Sequence, residues 1–320
     1  RWPCGNGRNL SHCNFDNSHV GGVAITRSIG EKEKEMTLTI SVDSHAPSVS
    51  IGPEMIPVPE IFCAVNADKE DIRRNMKANL KKGFPQVVPY ETQWNKTVAL
   101  VVGGPSLNST LDLLKEKHRD GMPVITVNGS YKYCMENGIR PSAFVMLDSR
   151  EFNNRFVDPP HKECKYFIAS QCHPSVLDKL DGYDAYLWHT AGQEEYKDIL
   201  DEEYGEMHKD YFPILGGSTV TLRAIHLIRL LGFPKFEIFG FDSCIKEDHH
   251  AYSQPENNNE KEIEIHVAGK QFLCTVAHYH QAKEFVQMVS ATGDHYDMII
   301  HGEGLISHIV RSPEALKEAA

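Results

Sequence analysis

Short apolar runs alternate with stretches of helical spacing over most of this chain. The apolar runs lie at 97–104, 123–130, 142–148, 165–172, 185–190 and 235–242. Helical stretches follow four of these runs, a polar loop follows the third, and a helical stretch precedes the last. Strands closed by a turn signal and followed by a helix are typical of parallel sheets. We therefore predict an α/β, Rossmann-like fold, with a mostly parallel sheet and helices on both faces.

One amphipathic helix is predicted before this alternating region. Ile72, Met76 and Leu80 recur every four residues behind Asp68, and Gly83 follows the last turn. Asp is a favoured N-cap residue, and Gly often lies just past the end of a helix. The apolar side of this helix is expected to pack against the main domain.

The first part of the chain has a different composition. Residues 1–35 are rich in Gly, Asn, Ser and His and have no sustained period, and Pro residues punctuate 53–62. Met36 is either a natural start or the first residue of an edge strand. The predicted organisation is an irregular extension and linker over 1–65, a leading helix and connection over 66–95, an α/β core over 96–312 and a tail over 313–320.

Charge and composition exclude several classes of partner. The chain has 320 residues and a net charge of −11, so it has no overall basic field to bind a nucleic-acid duplex. No stretch approaches the roughly 20 apolar residues that span a bilayer. The eight cysteines form no CxxC pair, which is typical of core residues in a reducing compartment. Together with the lack of a signal-peptide pattern at the N-terminus, this predicts a cytoplasmic protein.

Candidate binding residues cluster where the predicted strands end, the edge at which open α/β sheets bind ligands. Glycines allow the backbone to approach a ligand, and a helix N-terminus offers N–H groups to phosphate oxygens. The candidates for a nucleotide or donor site are Gly103, Gly104, Pro105, Ser106, Asn128, Gly129, Asp148, Gly216, Gly217, Ser218, Thr219 and Asp242.

Each candidate also has a structural alternative. Ser106 and Ser218 are possible helix caps, Asn128 is a possible left-handed turn residue, and Asp148 and Asp242 are possible caps of helices or loops. The loop at 103–106 does not match a P-loop and lacks the third glycine of the dinucleotide fingerprint. No G-x-S-x-G elbow indicates a serine hydrolase.

Histidines supply the candidate acid–base chemistry. His249 and His250, after Asp242 and Asp248, and the pair His278 and His280 have spacings that could ligate a metal such as zinc. Adjacent residues of an extended chain, however, cannot both point into one site. His278 and His280 lie on the same side if their segment is extended, and one of them projects towards the sheet edge if it begins a helix. An imidazole with a pKa near neutrality is the natural general base for a hydroxyl group.

The order of these motifs resembles the MptE-like or motility accessory factor (Maf) family. GGPSL, VNGS, MLDSR, ILGGST with GFD, and HGEGLI follow one another over roughly 66–310. The compact form is similar to the short members found in phage or prophage genomes, which implies a bacterial or phage-infected host cell. The family is similar in architecture to sialyltransferases that use CMP-sialic acid, and it includes 6-hydroxymethylpterin diphosphokinases.

The resemblance implies two alternative transferase mechanisms. In the first, Gly104, Pro105 and Ser106 hold the phosphate of a CMP-linked sugar, Asn128 holds its nucleoside, and the helix start at 216–218 holds its phosphate or sugar. His278 or His280 is then the general base, and no metal is required.

In the second mechanism, ATP donates its diphosphate to a pterin-type alcohol, and Asp148 or Asp242 holds Mg²⁺. A non-catalytic nucleotide-binding or phage-associated module is the third interpretation. The donor and the acceptor are not identified by the motifs.

Overall fold

We describe the fold from a computed structural model of the chain. The described residues are 67–90, 94–191, 194–204, 213–214, 216–247, 249–254, 261–292 and 297–312, with four short strands before them. These strands are β1 (Thr26–Ile29), β2 (Met36–Thr39), β3 (Ser48–Ile51) and β4 (Glu54–Pro57), paired antiparallel as β1–β2 and β3–β4. The rest of the predicted extension and the predicted tail lie outside the described residues.

The other strands belong to one large sheet and one hairpin. They are β5 (Thr97–Val101), β6 (Val124–Val127), β7 (Ala143–Met146), β8 (Lys165–Ala169), β9 (Asp184–Thr190), β10 (Pro213–Ile214), β11 (Lys235–Phe239), β12 (Glu262–Val267), β13 (Lys270–Thr275) and β14 (Asp297–Ile300). The hairpin is the antiparallel pair β12–β13.

Eight α-helices are present in the described part of the chain. They are α1 (Lys69–Leu80), α2 (Ser106–Arg119), α3 (Ser130–Glu136), α4 (Pro174–Lys179), α5 (Glu194–Tyr204), α6 (Val220–Leu230), α7 (Val276–Thr292) and α8 (Leu305–Arg311). None of the described helices is long and apolar enough to cross a membrane.

The large sheet confirms the predicted α/β class. Its strand order is β10-β9-β8-β7-β6-β5-β11-β14, and every neighbouring pair is parallel. The chain enters at β5, moves outward to β10 and then returns to β11 on the other side of β5. The connections after β5 and β11 therefore diverge, and this reversal of strand order is where open α/β sheets bind ligands.

Burial explains why the strands read as continuous apolar runs. Val98, Ala99, Leu100 and Val101 of β5 are all 0% exposed, because side chains on both faces of a central parallel strand are covered by helices.

The leading helix is also confirmed: the Asp68 carboxylate accepts the Glu70 N–H at 2.8 Å.

Two parts of the prediction were wrong or incomplete. The segment after β7 was expected to be a polar loop, but it contains a 3₁₀ helix over Glu151–Val157 that buries Phe156. The short strand β10 and the β12–β13 hairpin were not predicted. Of the two alternatives for the segment with His278 and His280, the helical one is confirmed, since α7 begins at Val276.

Candidate functional site

Asp242, in the loop after β11, lies at the N-terminus of α2. Its Oδ2 atom accepts the backbone N–H of Ser106 at 2.8 Å, and the residue is only 2% exposed. Burial raises the pKa of Asp242, and the Ser106 hydrogen bonds oppose this shift. A carboxylate at a helix N-terminus also interacts favourably with the helix dipole. The Asp242 carboxylate thus compensates the partial positive charge at the N-terminus of α2.

Glycines allow the loops after β5, β11 and β14 to pack around Asp242. A Cβ atom on Gly104 would lie 2.4 Å from Asp242 Oδ2, and one on Gly304 would lie 2.4 Å from its Cα. The Gly104 N–H donates to Gly240 O at 2.8 Å. The N–H groups of Gly104 and Ser106 therefore donate their hydrogen bonds to other residues of the chain. The phosphate-binding role of Gly103, Gly104, Pro105 and Ser106 stays a prediction.

The N-terminus of α6 holds a second carboxylate, in a more open position. The backbone N–H and the hydroxyl of Ser218 both donate to Glu284 Oε2 on α7, at 2.9 and 2.7 Å. Ser218 is exposed, whereas Ser106 at the start of α2 is buried. A Cβ on Gly217 would come within 2.6 Å of the same Glu284 oxygen. Ser218 therefore holds an anionic group at a place that solvent can reach.

A buried arginine that the sequence prediction missed supports this loop. Arg223 of α6 is 8% exposed, and it donates to the carbonyls of Gly217, Ala191 and Ile214 at 2.8, 3.1 and 2.5 Å. Burial lowers the pKa of Arg223 to about 10, and the charge of Glu284 opposes this shift. The sequence signal for Arg223 was its position as a basic residue inside the largely apolar stretch TLRAIHLIRLLG.

Gln281 of α7 connects two of the predicted site loops. Its Nε2 group donates to Thr219 Oγ1 at 2.9 Å, and its Oε1 atom accepts the Ser243 hydroxyl at 2.7 Å. The start of α6 and the loop after Asp242 are therefore joined through one side chain. The first turns of α7 form one side of the candidate site.

His278 makes a reciprocal cap at the start of α7. The His278 N–H donates to Thr275 Oγ1 at 3.1 Å, and His278 Nδ1 accepts the Thr275 N–H at 3.3 Å. This is a capping box in which histidine takes the place of the usual Glu or Gln. Burial, followed by the charges of His250 and His249, lowers the pKa of His278 to about 4. His278 is therefore neutral at pH 7, with its proton on Nε2.

His280 lies two residues further along the same helix. Its Nδ1 atom is buried and has no hydrogen-bond partner among the described residues. Its ring meets Tyr279 edge-on, with 6.0 Å between the ring centroids. The role of His280 as a base is not tested by these contacts.

The segment 249–254 covers the ends of β5 and β6. The Ala251 N–H donates to Gly103 O at 3.0 Å. A Cβ on Gly103 would lie 2.4 Å from the Tyr252 hydroxyl oxygen, and one on Gly129 would lie 2.5 Å from Tyr252 Cε2. At these two predicted site positions, glycine therefore leaves the room that the Tyr252 ring occupies.

The two adjacent histidines of this segment have different partners. His250 stacks on Tyr252 with a centroid distance of 5.9 Å, and His249 Nε2 lies 3.4 Å from Glu262 Oε1. In the part of the chain that the structure describes, no three His, Cys, Asp or Glu side chains are placed to hold a metal ion. Asp248 lies outside those residues.

Asn128 is a left-handed turn residue, as the structural alternative proposed. Its φ angle is 46°, and its Oδ1 atom is buried without a hydrogen-bond partner in the described structure. The side chain is not tied to its own turn. Asn128 therefore places an unused acceptor at the carboxyl end of β6.

Asp148 is paired with Arg150 after β7. Arg150 Nε and its backbone N–H both lie 3.0 Å from Asp148 Oδ1, and Arg150 Nη2 lies 2.6 Å from Oδ2. Asp148 therefore has a cationic partner, and Asp242 is buried against Ser106. The Mg²⁺-binding role of Asp148 or Asp242 in the diphosphokinase alternative stays a prediction.

Two asparagines of α1 hold the loops after β7 and β8. Asn75 Nδ2 donates to the carbonyls of Ser149 and Gln171, at 3.0 and 3.2 Å. Asn79 Nδ2 donates to those of Ser170 and Cys172, at 2.9 and 2.7 Å. Both asparagines are at most 1% exposed. The apolar pattern of the helix did not reveal these contacts.

Comparison with known proteins places this chain among transferase-related sequences. The model of a family described as 6-hydroxymethylpterin diphosphokinase MptE-like matches residues 70–248. No curated protein sequence matches the chain.

A solved structure supports the fold. The Maf glycosyltransferase from Magnetospirillum magneticum AMB-1 superimposes with a TM-score of 0.58 at 16% identity, over 76% of this chain and 38% of that protein. This chain spans less than two-fifths of that protein's length. At this level of identity the likeness shows a shared fold.

Proposed function

This chain belongs to the 6-hydroxymethylpterin diphosphokinase MptE-like family, and on that premise we propose that it transfers a glycosyl group from a nucleotide sugar. The donor that we propose is CMP-linked, as the resemblance to sialyltransferase-like relatives implies. The acceptor is a hydroxyl group of unknown identity.

The observation that carries this proposal is the anion contact at the start of α6. Ser218 directs an N–H and a hydroxyl at one Glu284 oxygen, at 2.9 and 2.7 Å. A phosphate oxygen has the same charge and the same hydrogen-bonding capacity as this carboxylate oxygen. The donor phosphate would displace Glu284 and bind at Gly216, Gly217, Ser218 and Thr219. The buried Asp242 contact on α2 is less able to exchange.

The spacing of Glu284 and His278 along α7 suits such a donor. Glu284 and His278 lie six residues apart on one helix, which is roughly 9 Å at 1.5 Å per residue. The sugar would then lie along α7, between a phosphate at Ser218 and a proton acceptor near His278. Asn128 and Gly129 would then form the wall beside the nucleoside.

The reaction that we propose has one displacement step. A histidine accepts the proton of the acceptor hydroxyl, the oxygen attacks the anomeric carbon, and the bond from that carbon to the phosphate oxygen breaks. Its electron pair leaves on the phosphate of cytidine monophosphate, which N–H groups of the α6 start would stabilise. His278 and His280 are the candidates from the sequence.

A second candidate function is ATP-dependent diphosphate transfer to a pterin-type alcohol. The description of the matching family favours it. The pairing of Asp148 with Arg150, and the burial of Asp242 against Ser106, count against it.

Thermal-shift measurements with CMP, CTP, ATP and GDP, each with and without Mg²⁺, test the proposal. A ligand that binds the folded chain raises its melting temperature by mass action. We expect CMP and CTP to stabilise the chain without metal. Stabilisation by ATP that requires Mg²⁺ would favour the diphosphokinase instead, and no stabilisation by any nucleotide would contradict both transferase proposals.

A further inference from the structure

Thr219 is the N-cap residue of α6, but its side chain does not cap the helix. Its φ and ψ angles are −104° and 154°, and among the described contacts its hydroxyl group makes no capping hydrogen bond. A threonine at this position normally accepts an N–H group of the first helical turn. Here Thr219 Oγ1 instead accepts Gln281 Nε2 of α7, at 2.9 Å. The N-cap side chain is therefore turned towards α7 and leaves the first N–H groups of α6 to other acceptors.

The hydrogen bonds of Gln281 run in one direction. The Ser243 hydroxyl donates to Gln281 Oε1 at 2.7 Å, and Gln281 Nε2 donates to Thr219 Oγ1 at 2.9 Å. An amide nitrogen only donates and an amide oxygen only accepts, whereas a hydroxyl group does both. Because Thr219 Oγ1 receives the amide proton, its own hydroxyl proton is left to donate to another group.

The other end of this chain of hydrogen bonds is anchored in the core. Ser243 is 4% exposed, and its φ angle of 49° lies in the left-handed region, which a residue other than glycine adopts only where its surroundings hold it. The Cys274 thiol donates to the Ser243 carbonyl oxygen at 3.4 Å. Thr219 is half-buried and follows the exposed Ser218. The three linked side chains therefore run from the buried loop after β11 to the open start of α6.

We propose that Gln281 is a positioning residue, which sets the Thr219 hydroxyl group as a hydrogen-bond donor to a phosphate oxygen of the nucleotide. This inference rests on the transferase function proposed above. Gln281 acts only through Thr219, whose oxygen it holds on the side of α7 so that the hydroxyl proton is directed away from that helix. Linked hydrogen bonds also polarise one another, so a hydroxyl that accepts from an amide donates more strongly.

Calorimetric titration of the full chain with CMP tests the coupling of Gln281 and Thr219. Gln281→Met keeps the length of the side chain and removes both hydrogen bonds, and Thr219→Val keeps the shape of the side chain and removes the hydroxyl group. We expect each substitution to weaken CMP binding by roughly two- to tenfold in Kd. The double variant should bind about as weakly as Thr219→Val alone, because Gln281 acts through that hydroxyl group.

Two further variants separate this positioning role from a general disturbance of the loop. Thr219→Ser keeps the hydroxyl group and should recover most of the affinity that Thr219→Val loses. Gln271→Met, at an exposed position of β13, should bind CMP like the unsubstituted chain. If Gln281→Met does not fold, Ser243→Ala takes its place in the cycle, since it removes the donor that fixes the orientation of the Gln281 amide group.

Additive losses in the double variant would overturn the proposal, because they would show that Gln281 acts independently of the Thr219 hydroxyl group. Unchanged affinity in a folded Gln281→Met variant would overturn it as well. Failure of the transferase function looks different: the unsubstituted chain then binds no CMP, and the ligand role of Gln281 fails with it. If only the role of Gln281 is wrong, the unsubstituted chain binds CMP and the variants lose affinity additively or not at all.

Discussion

Asp242 and Ser106 lie 136 residues apart in sequence, yet the Asp242 carboxylate accepts the Ser106 backbone N–H at 2.8 Å. This contact joins the loop after β11 to the first turn of α2, across the point where the strand order reverses. Asp242 thus caps a helix from another part of the chain.

Replacing Asp242 with Ala should lower the free energy of unfolding by about 1–3 kcal/mol, because the buried Ser106 N–H loses its acceptor. Urea denaturation measures this loss. Asp242→Asn keeps an acceptor oxygen and should lose less. Equal stability of Asp242→Ala and the unsubstituted chain would contradict the capping role.

Gly129→Ala should destabilise the chain by about 1–3 kcal/mol through overpacking. Gly129 has a φ angle of −62°, which any residue adopts, so the cost comes from the Tyr252 ring 2.5 Å from the new Cβ. Thermal unfolding of Gly129→Ala, Tyr252→Ala and the double variant forms a double-mutant cycle. The double variant should be more stable than the sum of the single effects predicts, and simple additivity would show that the clash does not occur.

Asn79→Ala should also cost about 1–3 kcal/mol, since the buried carbonyls of Ser170 and Cys172 lose their shared donor. The exposed Lys77 on the same helix provides the control, because Lys77→Ala removes no such contact. Urea denaturation of both variants measures the difference. A loss in Lys77→Ala as large as that in Asn79→Ala would indicate a general effect on α1.

Stability should fall as the pH decreases from about 6.5 towards 4, partly because of His278. Burial lowers its pKa to about 4 in the folded chain, from an ordinary value of 6.5. Between these values the unfolded chain binds a proton that the folded chain does not, so acidification favours unfolding; above pH 6.5 both states are neutral.

His278→Gln tests this linkage, because glutamine preserves the capping box and does not titrate. Its free energy of unfolding should depend less on pH over this interval than that of the unsubstituted chain. An unaltered slope in His278→Gln would show that His278 is not the group responsible.

Most strands of the large sheet were predictable because burial on both faces produces continuous apolar runs, as in Val98–Val101. The β12–β13 hairpin had a different signal. Its first strand alternates as EIEIHV, and Ala268 and Gly269 join the strands with φ angles of 45° and 74°. Alternation followed by a two-residue turn with positive φ is typical of a hairpin.

The site was less predictable, since its contacts join distant residues. Glycine spacing marked Gly104 and Gly129 correctly as places of close approach, but the partners are Asp242 and Tyr252. No local pattern identifies a partner that tertiary packing supplies. The capping box was hidden because histidine takes the place of Glu or Gln.

Glu284 and Ser218 provide the sharpest test of donor binding, because their substitutions should act in opposite directions. If the donor phosphate displaces the Glu284 carboxylate, Glu284→Gln replaces a charged competitor with a weaker neutral one, and CMP should bind more tightly. Ser218→Ala removes a hydrogen bond to the phosphate and should weaken CMP binding by about 0.5–1.5 kcal/mol, or roughly two- to tenfold in Kd. Calorimetric titration measures both. Ser109→Ala is the control, since its hydroxyl bonds only to Ser106 O among the described contacts. Weaker binding by a folded Glu284→Gln variant would show that Glu284 helps to hold the ligand and would contradict the displacement.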